Sequence, residues 1–487
     1  MVASELNIGW NFSNSYSEFS ETMFTRVSPL PALNPSLSIF NEELAAELGL
    51  NFSNLNDKKM AEIFSGNSLP AGSDPIAQAY AGHQFGHFTI LGDGRATVLG
   101  EHITPNKDKV DIQYKGSGKT PYSRGADGRA VLGPMLREYL ISEAMYGLGI
   151  PTTRSLAVVE TGEHVFRESR LPGAVLTRVA KSHIRVGTFQ YLASRGDLEN
   201  LKKLVSYSID RHYPHLKNEE NLSLALLNEV MSQQIDLICH WMRVGFIHGV
   251  MNTDNVTISG ETIDYGPCAF MDHYDEKTCF SSIDIQGRYA FGNQPVITQW
   301  NLARFAESLL PLIHSDQKKS IKAAEDTISR FKDSYEKKWL KMMKSKIGIS
   351  EQEDDGDYAL IQNLLKWMQS NKADYTNTFC YIMNENINDI EVYKNADFID
   401  WCKIWKDRLK ENTKSPEDII KSMRRVNPTI IPRNHIVEEA LQDAESKKDF
   451  TRLENLLKLL KYPYSSHKEI TSFQTPSGKE YKTFCGT

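Results

Sequence analysis

HGVMNTDNVTISGETIDYGP, residues 248–267, sets His248 ahead of Asn255 and closes on Asp264-Tyr265-Gly266. The spacing is that of H-R-D-L-x-x-x-N followed by D-F-G, the catalytic and metal-binding loops of a protein kinase. Val250, however, stands where a kinase keeps its catalytic aspartate. That carboxylate orients the hydroxyl that attacks the γ-phosphate, so a chain with valine there is either inactive or does something else with ATP.

Local geometry supports a metal site. Gly260-Glu261 is a two-residue turn between β-prone segments and predicts a II′ hairpin. Ser259 then faces Thr262 and Asp264 falls opposite Thr257, which leaves Asn255 on the same face, diagonal to Asp264 at about 7–8 Å. Two side-chain oxygens so placed can share one Mg²⁺, an ion that takes oxygen ligands and keeps sites for phosphate and water. The plainer alternative is a capped surface hairpin whose Asn and Asp satisfy turn backbones.

Upstream, VDIQYK (110–115) reads as a strand ending in Lys115, the place of the kinase lysine that meets the nucleotide phosphates. GPMLREYLISEAMYGLG (133–149) reads as a helix: Pro134 suits its first turn, Leu136, Leu140, Ala144 and Leu148 form an apolar stripe, and glycines close it. Glu138 beside that stripe is positioned to pair with Lys115, although alone it would count as a surface charge. FGHFTILGDGRATV (85–98) alternates around Gly92-Asp93-Gly94-Arg95, where backbone N–H groups could approach phosphate oxygens; Asp-Gly is also an ordinary hairpin turn. GSGKT (116–120) is not a P-loop, because Gln113 stands where that motif needs glycine. Lys119, Arg178, Arg185 and the Asp127-Gly128 turn supply further cations and turn backbone for a phosphate group.

The 487 residues are 40% hydrophobic and 24% charged, with a net charge of −6. That composition suits a globular chain of two lobes and gives no reason to expect nucleic acid or an anionic membrane as partner. No apolar run approaches the ~20 residues of a membrane span, and MVASELNIGWNFSNSYSEF has neither signal-peptide nor transit-peptide character, so a cytoplasmic location is expected. Six cysteines without a C-x-x-C pair argue against a zinc ribbon or a disulfide scaffold. The expected organisation is α+β and bilobed. An extension covers 1–75, a strand-rich lobe 76–190, a helical lobe 191–445 and a tail 446–487; helical periodicity from about 190 to 345 is broken by the hairpin, and an acidic loop follows at 345–357.

Taken together, YAGHQFGHFTILGDGRA, DIQYKGSGKTPYSRGADGRAVLGPMLREYLISEAM, AVLTRVAKSHIRVGTF, HGVMNTDN, IDYGPCAFMD and QGRYAFGNQP resemble the selenoprotein O family, protein adenylyltransferases on a pseudokinase fold. The resemblance runs from the N-terminal segment to the tail. It implies a protein-kinase-like bilobed fold in which ATP lies flipped, its γ-phosphate buried and its α-phosphate towards the acceptor. AMP rather than phosphate is then transferred to Ser, Thr or Tyr hydroxyls of proteins, and valine at position 250 is no anomaly. The resemblance further implies nucleotide contacts by Gly92, Gly94, Arg95, Lys115, Asp127, Gly128, Arg178, Arg185 and Asp264. It implies Asn255 and Asp264 as ligands of Mg²⁺ or Mn²⁺, and Asp254 as the proton acceptor. Some members transfer UMP, and some carry selenocysteine where this chain has Cys485.

Two other readings stay open at this level. A non-catalytic ATP-binding scaffold accounts for Val250 but leaves Lys115, Glu138, Asn255 and Asp264 without a task; a small-molecule kinase would share the two-lobed fold but be expected to keep the early aspartate, and transfer of the γ-phosphate would mark an atypical kinase. Cys279, in the region that forms the activation segment of a kinase, and Cys485 near the C-terminus are candidates for a redox disulfide that would pin the tail over the site; the alternative is two unrelated thiols.

Overall fold

The structure is a computed structural model and describes residues 8–349, 356–385, 387, 390–411, 415–465, 471–478 and 481–483. Nine strands form one antiparallel sheet: β1 (Phe24–Arg26), β2 (Ser36–Phe40), β3 (Ile76–Gln84), β4 (His87–Gly92), β5 (Ala96–Ile103), β6 (Lys109–Lys115), β7 (Ala130–Val131), β8 (Arg154–Phe166) and β9 (Arg170–Ala180). Their order is β1-β3-β5-β6-β9-β8-β2, with β4 attached to β3 and β7 to β9. Both ends of that path come from the first 75 residues, since β1 pairs with β3 and β2 with β8.

Side-chain alternation explains why the sheet is covered twice. Val175 of β9 faces a core with Phe40, Phe52 and Phe64, while Ala174 and Leu176 face the other side. The first face is closed by α1 (Glu42–Glu47) and α2 (Asp57–Phe64), whose starts are capped by Asn41 and Asn56 accepting from Leu44 N and Lys59 N. The second face is closed by α3 (Leu132–Gly147), whose predicted stripe of Leu136, Leu140, Ala144 and Leu148 is buried throughout. The strand pair β8–β9 was not legible as such; its residues pair over most of their length across register shifts.

The helical part comprises α4 (Val186–Ser194), α5 (Leu198–His212), α6 (Leu222–Val244), α7 (Gln294–Ile313), α8 (Gln317–Ser329), α9 (Phe331–Lys346), α10 (Gly356–Ser370), α11 (Tyr375–Ile382), α12 (Ala396–Leu409), α13 (Pro416–Arg424), α14 (Asn434–Lys447) and α15 (Thr451–Leu460). The central α6 buries Leu226, Val230, Leu237, Ile238 and Trp241. The last two helices return to pack on α3. The molecule is thus α+β and bilobed, with the lysine strand, the glutamate helix and the Asp-Tyr-Gly loop following one another in the protein-kinase-like order. None of the helices among the described residues is long and apolar enough to cross a membrane.

The predicted hairpin at 255–264 does not form. Its two arms pair outward: Thr257 bridges Arg185 and Thr262 bridges Thr152, while the segment is tied to itself by two hydroxyls, Thr257 donating to Glu261 O at 2.6 Å and Ser259 to Glu261 Oε2 at 3.0 Å. The register that set Asp264 opposite Thr257 therefore has no ladder behind it. Nor is this a surface turn, because Ser259, Gly260 and Glu261 are all buried. The arms lie where segments 152–153 and 184–186 offer backbone partners, and those bonds replace the hairpin's own. Residues 267–293, expected to be helical, are largely irregular apart from a short pair, Phe246–Ile247 with Ala269–Phe270. Of the acidic loop at 345–357, residues 350–355 lie outside the described residues, as does Cys485.

Candidate functional site

The register of β6 and β9 builds the floor of a cleft. Gln113 lies opposite Arg178, and Lys115, two residues further along β6, shares its face. Lys115 Nζ donates to Glu138 Oε2 on α3 at 2.6 Å and to Asp264 Oδ1 at 2.8 Å. Arg178 Nη1 bridges the same two carboxylates, at 3.0 Å to Glu138 and 2.7 Å to Asp264, while Nε and Nη2 rest on Gln113 Oε1. Arg185, at the start of α4, donates from Nη1 to Asp264 Oδ2 and to the main-chain oxygen of Asp254, both at 2.7 Å. Burial pushes the Asp264 carboxyl up, but Lys115, Arg178 and Arg185 together hold it well below the usual carboxylate range. Asp264 is also one of the few non-glycine residues with positive φ, at 63°. Lys115, Arg178 and Arg185 are thus gathered on Glu138 and Asp264, with Asp93 Oδ1 a further 4.0 Å from Arg185 Nη2, and three buried cations stand where a phosphate could meet them.

Across the cleft, Asp254 sits in a turn of 3₁₀ helix, Thr253–Asn255. Its side chain is buried, and Oδ1 has no hydrogen-bond partner. Burial pushes its carboxyl up to about 6, against the pull of Arg185. Asn255 donates from Nδ2 to Val250 O at 2.9 Å, which leaves its amide oxygen for another partner. The valine that replaces the kinase aspartate therefore still serves the loop, through its main-chain oxygen.

Gly92, Gly94, Arg95, Lys115, Asp127, Gly128, Glu138, Arg178, Arg185, Asp254, Asn255 and Asp264 all line this one cleft of about 420 Å³. Lys119 is exposed and does not. At the Gly-Asp-Gly turn the missing side chains have a purpose that the sequence did not reveal. A Cβ on Gly92 would meet the Tyr122 ring at 2.7 Å, and one on Gly94 would meet Tyr122 O at 2.9 Å. Asp93 between them is buried, accepts from Gln78 N at 3.0 Å, and is pushed up to about 6 by burial. Asp127 is held by a residue that sequence reasoning missed, Arg167, whose two terminal nitrogens lie 2.8 and 3.1 Å from its oxygens. Also missed were Tyr80, under the Arg185 guanidinium at 4.7 Å, and Gln84, which lines the cleft with Asp254. Both belong to YAGHQFGHF, a motif without a recognisable ligand signature. Arg137 lines the cleft as well, tied to Glu438 of α14 and to the Tyr481 hydroxyl of the tail.

Among the described residues no group of three or more His, Cys, Asp or Glu could hold a metal ion. Asn255 and Asp264 instead offer two oxygens on one cleft, a donor set that fits Mg²⁺ or Mn²⁺ drawing its remaining ligands from phosphate and water.

Comparison with known proteins agrees with this arrangement. The family model described as "Protein adenylyltransferase SelO" matches residues 7–461. Protein nucleotidyltransferase YdiU of Bacillus cereus is 54% identical over 482 residues, covering 98% of this chain and 99% of the relative. The protein of the same name from Bacillus mycoides matches equally, at 54% over 482 residues with the same coverage. A solved structure, ROP2 from Toxoplasma gondii, titled a virulence factor with a protein-kinase fold and no enzymatic activity, aligns at a TM-score of 0.27 and 8% identity over 69% of this chain and 88% of that one; so low a score carries no argument. With its lysine, glutamate and aspartate joined in one cleft and its match running over nearly the whole sequence, the chain belongs to the SelO family of protein adenylyltransferases.

Proposed function

We propose that the cleft binds ATP with its phosphates over Lys115, Arg178 and Arg185, and that Asp254 accepts the proton of a Ser, Thr or Tyr hydroxyl as that oxygen attacks the α-phosphorus. The enzyme is a protein nucleotidyltransferase, as its family membership establishes. In the proposed step the new bond joins the hydroxyl oxygen to the α-phosphorus, the bond from the α-phosphorus to the bridging oxygen breaks, and pyrophosphate leaves with the electron pair. The observation that carries the assignment is the orphaned Asp254 Oδ1, buried on the cleft wall while Val250 has no group to offer.

Asp264 is engaged by three cations. Arriving phosphates would draw those cations off, and the carboxylate so released, with Asn255, would hold Mg²⁺ or Mn²⁺. The ion supplies charge neutralisation on the leaving pyrophosphate. Gly92, Gly94, Arg95, Asp127 and Gly128 would form the nucleotide's further contacts, with the terminal phosphate deepest, against Arg178. UTP in place of ATP would use the same groups, and the site of action would be the cytoplasm.

Incubation with α-³²P-ATP should label the protein or a lysate, and γ-³²P-ATP should not. Label from the γ position alone would mean a kinase, and none from either a scaffold. Asp264→Asn should lose transfer together with Mg·ATP binding, whereas Asp254→Asn should lose transfer and keep binding in a calorimetric titration. Equal loss of binding in both would overturn the assigned roles.

A further inference from the structure

Two motifs, YAGHQFGHFTI (80–90) and QGRYAFGNQP (286–295), contribute little to the nucleotide cleft, but the fold joins them. Asn252 Oδ1 accepts from Phe85 N at 3.0 Å and from the Tyr289 hydroxyl at 2.6 Å, and the Phe85 and Tyr289 rings lie 5.2 Å apart. Arg288 stacks on Trp300 of α7 at 4.9 Å; Arg304 covers the same ring at 5.2 Å, and His83 meets it edge-on at 5.3 Å. The result is a surface at the mouth of the cleft, built from the β3–β4 hairpin, the segment after Asp-Tyr-Gly and α7.

Three features of that surface are unsatisfied. Beyond its pairing with β3, β4 has no strand partner among the described residues, so one edge of its backbone is open. Phe88 and Ile90 on that strand are 43% and 51% exposed. Arg288 forms no ion pair with a carboxylate among the described residues, and its Nε is buried without a hydrogen-bond partner. The surface is continuous with the chemistry, because Gln84 in the same hairpin lines the cleft with Asp254 and His83 N donates to Thr253 Oγ1 at 2.7 Å.

We propose that the acceptor protein docks here, as an extended segment with alternating apolar and acidic side chains added as a strand to the open edge of β4. Main-chain hydrogen bonds supply its orientation, Phe88 and Ile90 receive its apolar side chains, and Arg288 receives a carboxylate. A strand so added lies two strand spacings, about 10 Å, from β3, whose Gly82 packs against Asp254. A hydroxyl on a residue leaving that strand can then reach the acid. This rests on the reading that a protein hydroxyl is the acceptor at Asp254.

The test uses the full-length protein with Mg²⁺ and a non-hydrolysable ATP analogue, and a short fluorescein-labelled peptide alternating valine and glutamate. Fluorescence anisotropy should show saturable binding of this peptide. Its lysine counterpart, and the glutamate peptide N-methylated at alternate residues, should bind at least about tenfold more weakly, a difference of about 1.4 kcal/mol. Ile90→Lys should weaken the glutamate peptide similarly, and Arg288→Glu should reverse the preference in favour of lysine, a gain that misfolding cannot produce. Equal binding of all three peptides, no binding of any, or unchanged preference in Arg288→Glu would overturn the proposal. Nucleotide labelling separates it from the enzymatic reading: α-label transfer with indifferent peptides sinks the docking surface alone, and discriminating peptides without transfer sink the proposed reaction alone.

Discussion

Buried carboxylates in this protein divide according to what stands beside them. Asp264 has three cations within hydrogen-bond reach and stays ionised, whereas Asp93, Asp254 and Glu261 are raised because burial outweighs the cations near them, Arg185 and Arg178 for Asp93, Arg185 for Asp254 and Lys181 for Glu261. Glu261 allows this to be tested away from the cleft chemistry. Burial pushes its carboxyl from 4.5 to about 7, although Oε2 accepts from Lys181 N at 2.9 Å and Ser259 Oγ at 3.0 Å. A folded-state value above the unfolded one means that the folded protein holds this proton more tightly. Its contribution to stability is complete below pH 4.5 and is lost as the pH rises through 7. Glu261→Gln keeps an amide oxygen for both donors and has no charge to bury. The variant should therefore gain stability relative to the parent between pH 5 and pH 8, by up to about 3 kcal/mol, in urea denaturation at the two pH values. An unchanged difference between parent and variant across that range would show that Glu261 is not protonated in the fold.

At the scale of elements, the proposed reaction geometry depends on how closely β3 approaches α4 and the Asp254 turn. A Cβ on Gly82 would come within 2.7 Å of Asp254 Cγ, and one on Gly187, in the first turn of α4, would fall on Ala81 O. The two glycines act on different partners, and their substitutions should be distinguishable. Gly82→Ala meets a side chain, so it should displace the Asp254 carboxylate and cut transfer by about tenfold or more, with Tm and ATP affinity little changed. Gly187→Ala meets backbone on a strand that cannot yield, so it should force β3 from α4 and lower stability by about 1–3 kcal/mol. Thermal melts and transfer rates of the two variants, measured side by side, check the contrast. The hairpin tip adds a further tie, His83 N donating to Thr253 Oγ1 at 2.7 Å.

Across the whole molecule, the C-terminal residues close over the segment that follows Asp-Tyr-Gly. Thr483 N donates to Phe280 O at 2.8 Å, Ser282 N to Thr483 O at 3.0 Å, and the Thr483 hydroxyl to Pro267 O at 2.9 Å. Tyr481 packs on Phe280 with ring centroids 5.8 Å apart. Thr483 is thereby bound to the segment that carries Cys279, a half-buried thiol pushed up to about 11 by burial and by Asp284, whose Oδ2 accepts from Sγ at 3.4 Å. Asp284 also accepts from Tyr289 N, and Tyr289 in turn reaches Asn252 in the catalytic loop. We propose that a Cys279–Cys485 bond would act on the site through this chain of contacts from Cys279. Diamide treatment should yield a Cys279–Cys485 linked peptide on non-reducing mass spectrometry and lower the transfer rate, with dithiothreitol restoring it. Alkylation of both thiols in the presence of oxidant would remove the pairing.

The residue types of the cleft and their order were legible in the sequence because short-range rules govern them. Gln113 and Lys115 share a face by strand alternation, and Glu138 sits beside an apolar stripe of helical period. Val250 announced a changed role for the loop without any coordinates. Tertiary structure decided what those rules do not reach. The 255–264 segment lost its hairpin because buried neighbours offered its arms better partners, and the glycines at 92 and 94 make room for Tyr122 from elsewhere in the chain. Asp264 is held by cations from β6, β9 and α4, and Asp254 is left with an unpaired oxygen by the packing of β3. Both depend on the approach of segments distant in sequence, and no local pattern encodes that distance.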